Sequence, residues 1–202
     1  ASDVYKRQVF SISDNENTKV MTGELFEITA NKLKVVSLDG HRISIRNVEL
    51  NNSYDNISVI IPGKTLIEIN KILNGGVDDI VKIYFTDKHI LFEFESTVVL
   101  SRLIEGEYYK IDKMLSSDYE TKITVNKKEM LDSIDRTTLL MKEAEKKPVI
   151  IDIKDNSMGL AMNSSIGSMD EEIDAVKEGK DILIGFNPRF LIAVSYTHLT
   201  LP

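Results

Sequence analysis

The sequence predicts an α+β fold in which antiparallel sheet forms one layer and helices form the other. Three observations predict it. Several segments alternate apolar and polar residues, others repeat apolar residues at helical spacing, and the sequence aligns with itself. A shift of 125 positions places residues 24–36 on residues 149–161 without a gap. Predicted helix starts near Pro62, Asn126 and Asn187 lie 64 and 61 residues apart, so a unit of one helix and several strands recurs.

The first part of the chain is predicted to form strands followed by a helix. The segment from Gly23 to Ile45 alternates around a turn at Ala30–Asn31, which predicts two antiparallel strands with one solvated face. A further strand is predicted from Ser58 to Ile61. From Pro62 to Leu73 the apolar period becomes helical. The buried stripe of this helix is predicted to contain Leu66, Ile69 and Leu73.

The remainder of the chain repeats this pattern. Asn126 and Glu129 predict the capped start of a second helix. Its apolar stripe comprises Met130, Ile134, Thr137 and Met141. Strands are predicted at residues 80–86, 89–95, 97–103, 118–125, 148–153 and 157–163.

Composition narrows the class of protein. The 202 residues include 25 basic and 32 acidic side chains, a net charge of -7 and 42% hydrophobic residues, which indicates a globular chain of one or two domains. No run of about twenty apolar residues and no signal-peptide pattern occurs, and cysteine is absent. We therefore expect a cytoplasmic protein without disulfides.

The two ends are expected to be foreign to the rest of the sequence. Residues 2–8 can be encoded by a DNA stretch whose reverse complement encodes residues 194–199. Such a pair is typical of sequencing-adapter DNA read through on both sides of a fragment. We therefore expect residues 1–8 and 194–202 to be non-native and the rest to be truncated at both ends.

The search for catalytic or metal chemistry gives negative results. Three histidines without cysteine, at unsuitable spacings, predict no zinc site. Residues 63–65 read Gly-Lys-Thr, but Ser58 stands where a phosphate-binding loop needs glycine. Strand alternation points Asp39 and His41 away from Ser44, so these three cannot form a local triad. No catalytic residue, metal or cofactor is predicted.

Basic residues fall on the exposed faces of the two predicted helices. Such a surface would hold phosphates without reading bases. The alternative is an ordinary solvated helix face, on which lysine is common. The cations concerned are Lys64 and Lys71 on the first helix and Lys127, Lys128 and Arg136 on the second.

Four segments together resemble a known family. They are LKVVSLDGHRISI (33–45), VIIPGKTLIEINKILNGG (59–76), SRLIEGEYYKIDKML (101–115) and IGFNPRFL (184–191). They resemble the bacterial DNA sliding clamp, the beta subunit of DNA polymerase III, over about residues 9–193. The resemblance implies a middle clamp domain at 9–115, without its first strand and most of its first helix, and the first half of the C-terminal domain at 116–193.

In that family, three domains per chain and two chains head to tail close a ring around duplex DNA. Helices line the channel and sheets form the outer wall. The resemblance therefore implies sequence-independent contacts between DNA and the helix cations. Lys64 matches a channel lysine of the family, and Lys19 is a weaker candidate before Met21. The implied DNA-binding residues are Lys64, Lys71, Lys127, Lys128, Arg136 and Lys19.

The resemblance also implies a groove that takes a short hydrophobic peptide from the DNA polymerase III catalytic subunit, the clamp loader and repair proteins. Tyr109 and Lys110 stand where the family usually has proline and aspartate, so we expect the groove to differ there. The implied groove residues are Met21, Leu38, Gly40, His41, Arg42, Ile43, Tyr109, Lys113, Met114, Asn187 and Phe190.

We therefore expect a non-enzymatic, homodimeric processivity factor without a cofactor. The alternative is a protein-binding scaffold of the same fold that never encloses DNA. A hydrolase using Asp39 and His41 would need a nucleophile from elsewhere in the chain, and the sequence offers no activated candidate. Strand edges left uncovered by truncation predict that the isolated fragment aggregates.

Overall fold

The computed structural model describes residues 11–13, 15–73, 80–111, 114–115, 119–140, 147–187 and 190–191. The chain divides into two compact units, Ala1–Lys110 and Ile111–Pro202. Within the described ranges, every helix is too short or too polar to cross a membrane.

The first unit contains a sheet made from two long strands. A 3₁₀ segment, Glu16–Thr22, leads into β1 (Gly23–Leu38), which pairs antiparallel with β2 (Ile43–Pro62). Residues 23–28 pair with 57–62, whereas residues 32–38 pair with 43–49. The register breaks on both sides of Ala30, whose φ of 52° is a left-handed value that suits a tight turn.

These observations place a reversal within β1. A straight strand rises about 3.3 Å per residue, so the ends of a 16-residue strand would lie about 50 Å apart. Tyr108 instead interacts with both ends. Its hydroxyl lies 3.5 Å from the carbonyl oxygen of Gly23, and a backbone hydrogen bond links it to Leu38. β1 therefore turns back at Ala30–Asn31, as predicted, and the two halves of β2 flank it.

A helix and a second sheet complete the first unit. The helix α1 (Gly63–Ile72) buries Leu66 and Ile69 completely, so its apolar stripe is as predicted. The sheet is antiparallel in the order β3-β4-β5. Its strands are β3 (Lys82–Phe85), β4 (His89–Phe94) and β5 (Thr97–Arg102). The core between these elements contains Phe26, Val35, Ile61, Leu66, Ile69, Leu73, Ile90, Phe92, Phe94 and Leu103.

The described part of the second unit contains a five-stranded sheet and a helix of 13 residues. The helix α2 (Lys127–Leu139) begins after Asn126, whose side-chain oxygen accepts hydrogen bonds from the backbone nitrogens of Lys128 and Glu129 at 2.9 and 3.2 Å. This confirms the predicted cap. Ile134 and Thr137 are buried as expected, and Met141 lies outside the described residues. The strands are β6 (Thr121–Val125), β7 (Val149–Lys154), β8 (Ser157–Ser164), β9 (Gly167–Gly179) and β10 (Ile182–Phe186), in the order β10-β7-β8-β9-β6.

The strand β9 is where observed and predicted elements differ most. It spans 13 residues. The last strand predicted from the sequence ends at residue 163, so β9 was not predicted. Its outward positions carry Asp170, Glu172 and Asp174, whereas Ile173 and Ala175 face the core. The dense acidic residues therefore conceal a regular alternation of exposed and buried positions.

Candidate functional site

The turn between β1 and β2 is fixed by one carboxylate. Asp39 Oδ1 accepts hydrogen bonds from the backbone nitrogens of His41 and Arg42 at 3.0 and 3.1 Å. Asp39 Oδ2 accepts from Arg42 Nε at 2.8 Å. Gly40 has φ of 87°, a conformation that glycine adopts readily. The Asp39 side chain therefore determines the shape of this turn, although the sequence analysis did not place it in the groove.

The segment after β5 packs against β1 near this turn. The backbone nitrogen of Ile104 donates to the carbonyl oxygen of Ile60 at 2.9 Å, which holds the segment on β2. Tyr108 is 8% exposed, and burial raises the pKa of its hydroxyl. The ring of Tyr109 meets the ring of Tyr108 edge to face, with centroids 6.4 Å apart, and is 41% exposed. Tyr109 thus exposes part of an aromatic ring that packs against the buried ring of Tyr108.

Seven of the predicted groove residues belong to the first unit. Tyr108 links Gly23, which follows the 3₁₀ segment, to Leu38, which precedes the turn. Leu38 is 1% exposed, whereas Gly40 and His41 are exposed. The seven residues are Met21, Leu38, Gly40, His41, Arg42, Ile43 and Tyr109.

The other predicted groove residues belong to the second unit. Lys113 lies outside the described residues. Met114, Asn187 and Phe190 belong to the second unit. Met114 is 51% exposed, and the backbone nitrogen of Phe190 donates to the carbonyl oxygen of Asn187 at 3.0 Å.

A buried acid lies next to the site. Glu24 follows Gly23 in β1 and is 0% exposed, and neither of its carboxylate oxygens has a hydrogen-bond partner in the described part of the chain. Burial raises its pKa to about 9, so Glu24 is neutral at pH 7. The sequence analysis missed this residue. A signal was present, because Glu24 is in phase with Phe26 and aligns with Val149, and both are core residues.

The cations of the first unit differ in how they are paired. Lys64, at the start of α1, is exposed and makes no side-chain hydrogen bond or ion pair with a described residue. Lys71 pairs with Glu68 at 2.7 Å on the same helix. Lys19 is exposed in the 3₁₀ segment, and its charge contributes to the lowered pKa of Glu105, which Arg102 lowers most. Lys64 is therefore the one of these three that is best able to meet a phosphate.

The cations of α2 divide in the same way. Within the described ranges, the Lys127 and Lys128 side chains have no hydrogen-bond or ion-pair partner. Arg136 instead binds Glu171 of β9 through Nε and Nη2, with the Nη2 bond at 2.5 Å. Ser133 donates to the same carboxylate at 2.8 Å. The bond from Arg136 is the main cause that lowers the pKa of Glu171.

The surface beside Arg136 is acidic. A depression of about 330 Å³ is lined by Arg136 together with Glu129, Asp132, Glu171 and Glu172. Arg136 is thus surrounded by carboxylates and forms an ion pair with one of them, Glu171. Sequence reasoning chose Arg136 from its helix face and could not see Glu171, which lies 35 residues away in the chain.

Comparisons with known proteins match almost the whole chain. A family model for the DNA polymerase III beta subunit, central domain, matches residues 2–110, and one for the C-terminal domain matches residues 112–197. The chain is 34% identical over 185 residues to a beta sliding clamp of Staphylococcus aureus, covering 91% of this chain and 49% of the relative. It is 32% identical over 192 residues to a beta sliding clamp of Streptococcus pneumoniae, covering 94% and 50%.

Solved structures agree with these sequence matches. A crystal structure of a DNA polymerase III beta subunit from Eubacterium rectale superposes with a TM-score of 0.95 at 61% identity, covering 97% of this chain and 53% of that one. The DNA polymerase sliding clamp of Bacillus subtilis gives a TM-score of 0.92 at 31% identity, covering 97% and 52%. The chain therefore spans about half the length of its relatives, and with two successive domain models matched, it belongs to the DNA polymerase III beta subunit family.

Proposed function

We propose that this chain forms part of a sliding clamp, a non-enzymatic processivity factor that encircles duplex DNA and tethers the replicative polymerase. The observation that carries the proposal is the match of two successive domain models over residues 2–110 and 112–197. The complete protein is proposed to be a cytoplasmic, head-to-tail homodimer that needs no cofactor. Residues 9–115 are proposed to form the middle domain and residues 116–193 the first half of the C-terminal domain.

The proposed DNA contacts are made by the helices. Sliding requires many weak phosphate contacts that do not depend on base sequence. Lys64, Lys127 and Lys128 suit this role because they have no partner among the described residues. Lys71, Lys19 and Arg136 are proposed as weaker contributors, since carboxylates lie close to each of them.

The proposed client site lies at the turn of Asp39–Arg42 in the first unit. Apolar side chains of Met21, Ile43 and Tyr109 would receive a short hydrophobic peptide, and the turn would form its polar rim. Met114, Asn187, Phe190 and Lys113, which belong to the second unit, are proposed separately as peptide-contacting residues. The proposed clients are the polymerase, the clamp loader and repair proteins.

Retention on DNA tests enclosure. The full-length chain would be loaded onto nicked circular DNA, and its retention compared with that on the same DNA cut once to make it linear. We expect retention to be lost on cutting, because a closed ring slides off an open end. Equal retention on both forms would indicate ordinary surface binding and would contradict the proposal.

The alternative is a scaffold of the same fold that binds clients without enclosing DNA. Neutralising Lys64 and Lys128 together separates the two functions. A clamp should lose stable loading, whereas a scaffold should be unaffected. Peptide binding provides the control, because neither lysine belongs to the proposed client site.

A further inference from the structure

We infer that Asp39 is a positioning residue of the peptide site, which holds the backbone at His41 and the guanidinium of Arg42 in one arrangement at the rim. This inference rests on the proposed function, because the site is taken to receive a hydrophobic peptide. Asp39 itself is not among the residues expected to contact that peptide.

The two oxygens of the Asp39 carboxylate hold different parts of the turn. Asp39 Oδ1 holds the backbone through the nitrogens of His41 and Arg42, and Oδ2 holds the Arg42 side chain through Nε. Gly40 between them has φ of 87° and gives the backbone wide conformational freedom. The Asp39 carboxylate therefore restrains the backbone and the guanidinium at the same time, in addition to the 3.3 Å hydrogen bond from the Asp39 backbone nitrogen to the carbonyl oxygen of Arg42. Removing the carboxylate would remove both of its restraints together.

The degree of burial makes this bond stronger than an ordinary surface ion pair. The side chains of Arg42 and Asp39 are 18% and 10% exposed, whereas those of Lys71 and Glu68 are both 64% exposed. Water and salt screen an exposed pair and leave it little net effect. A charge-assisted bond shielded on both sides keeps more of its strength and its direction.

A fixed rim affects binding through preorganisation. Side chains that are already ordered lose little freedom when a ligand binds, so affinity improves without any new contact. Loss of Asp39 should therefore weaken binding even though the peptide never touches it. The cost of ordering one rotamer-rich side chain on binding corresponds to about a tenfold change in the dissociation constant.

A double-mutant cycle tests this inference. A labelled short peptide containing leucine and phenylalanine would be titrated with the full-length clamp, and binding followed by fluorescence anisotropy. We expect Asp39→Ala to weaken binding about tenfold. Because Asp39 acts partly through the Arg42 side chain, the combined variant Asp39→Ala, Arg42→Ala should lose less affinity than the sum of the two single losses. Independent, additive effects would overturn the inference, as would wild-type affinity in Asp39→Ala.

Two further variants guard against a general loss of structure. Asp39→Asn keeps an acceptor for the backbone nitrogens but loses the charge that faces Arg42, so we expect intermediate affinity. Asp87→Ala is the matched control, because Asp87 is exposed in another turn of the same unit and its side chain has no hydrogen-bond partner among the described residues. It should bind like the wild type. If Asp39→Ala does not fold, wild-type affinity in Asp39→Asn would still overturn the inference.

Hydrogen exchange separates this inference from the proposed function. In the free protein, Asp39→Ala should accelerate exchange of the His41 and Arg42 amides, while amides in the core of β4 remain protected. Unchanged exchange would refute the positioning role whatever the peptide does. If exchange accelerates but the wild type binds no peptide, the proposed client site is refuted, and Asp39 merely shapes a turn.

Discussion

The helices α1 and α2 occupy equivalent places in the repeated unit, but their polar anchors differ. Each buries apolar side chains fully, Leu66 and Ile69 in α1 and Ile134 in α2. α1 is also joined to β5 by a neutral hydrogen bond of 2.7 Å between the hydroxyls of Thr65 and Ser101. α2 is joined to β9 by a charged group, the pair of Arg136 and Glu171. Both helices thus share buried apolar residues but differ in the polar contact that joins each one to a strand. In α2 that contact uses a cation, which reduces the positive charge available on the helix surface.

Glu24 in the first unit and Glu171 in the second have pKa values that are shifted in opposite directions. In the first unit, Glu24 is buried and its carboxylate has no hydrogen-bond partner among the described residues, and burial raises its pKa to about 9. In the second unit, Glu171 is held by Arg136 and Ser133, and its pKa is lowered. Unfolding should therefore respond to pH in opposite directions at these two residues.

The largest loss of stability from a single substitution at a fixed pH is expected at the apolar anchor of α1. Leu66→Ala should lower the free energy of unfolding by about 3 kcal/mol, because a fully buried leucine is truncated and a cavity remains. Denaturant titration measures this loss. Ile67→Ala is the control, since Ile67 is 37% exposed on the same helix and should cost far less. Equal losses would show that α1 does not depend on its buried stripe.

The next effect concerns Glu24 and pH. Its pKa rises on folding from an ordinary 4.5 to about 9, so the native state binds the extra proton between these values. Stability is then greatest below pH 4.5 and falls by about 1.4 kcal/mol per pH unit as the pH rises toward 9. Glu24→Gln should remove this decline, as measured by urea unfolding from pH 5 to 8. A wild type whose stability is flat over that range would disprove the assignment.

DNA binding should distinguish a free cation from a paired one. In the full-length dimeric clamp, Lys64→Ala should reduce the slope of log affinity against log salt by about two, because each protomer loses one phosphate contact. Arg136→Ala should reduce it less, since Glu171 already occupies the guanidinium. The slopes can be measured by titration at several salt concentrations. Equal reductions would mean that Arg136 leaves Glu171 to contact DNA.

The smallest effect is expected from the anchor of α2. Glu171→Gln should destabilise the second unit less than Leu66→Ala destabilises the first, because Arg136 is half exposed and its ion pair is screened. Since the pKa of Glu171 is lowered, its contribution is present above pH 4.5 and disappears as the pH falls further. Thermal unfolding at pH 7 and pH 3 measures this. Glu172→Gln, on the outward side of β9, is the matched control.

Local patterns predicted most of the fold. The helical stripe of α1, the Asn126 cap and the turn at Ala30–Asn31 each depend on residues close together in sequence, and each is present. The strand β9 was not predicted, because its exposed positions are so acidic that the segment resembles a solvated turn. Exposed and buried positions still alternate in this segment, but its many acidic residues make the alternation hard to recognise in the sequence.

The candidate site was harder to predict because its contacts join distant residues. Nothing near Arg136 in the sequence indicates that Glu171 will bind it, and nothing near Gly23 indicates Tyr108. Asp39 is the exception, since its bonds reach only three residues ahead and an Asp-Gly pair commonly forms such a turn. The roles of the site residues and the domain assignments remain predictions, which the variants above would test.

The bond between Tyr108 and Gly23 also bears on how the chain folds. It closes a loop of 85 residues, and the entropy lost in closing a loop grows with its length. Contacts of such separation form slowly compared with those of hairpins and helices. During synthesis, β1 and β2 can pair early, but Tyr108 reaches the two ends of β1 only after the whole of β5 has left the ribosome. The peptide site would therefore be among the last parts of the first unit to take shape, although most of its residues are made first.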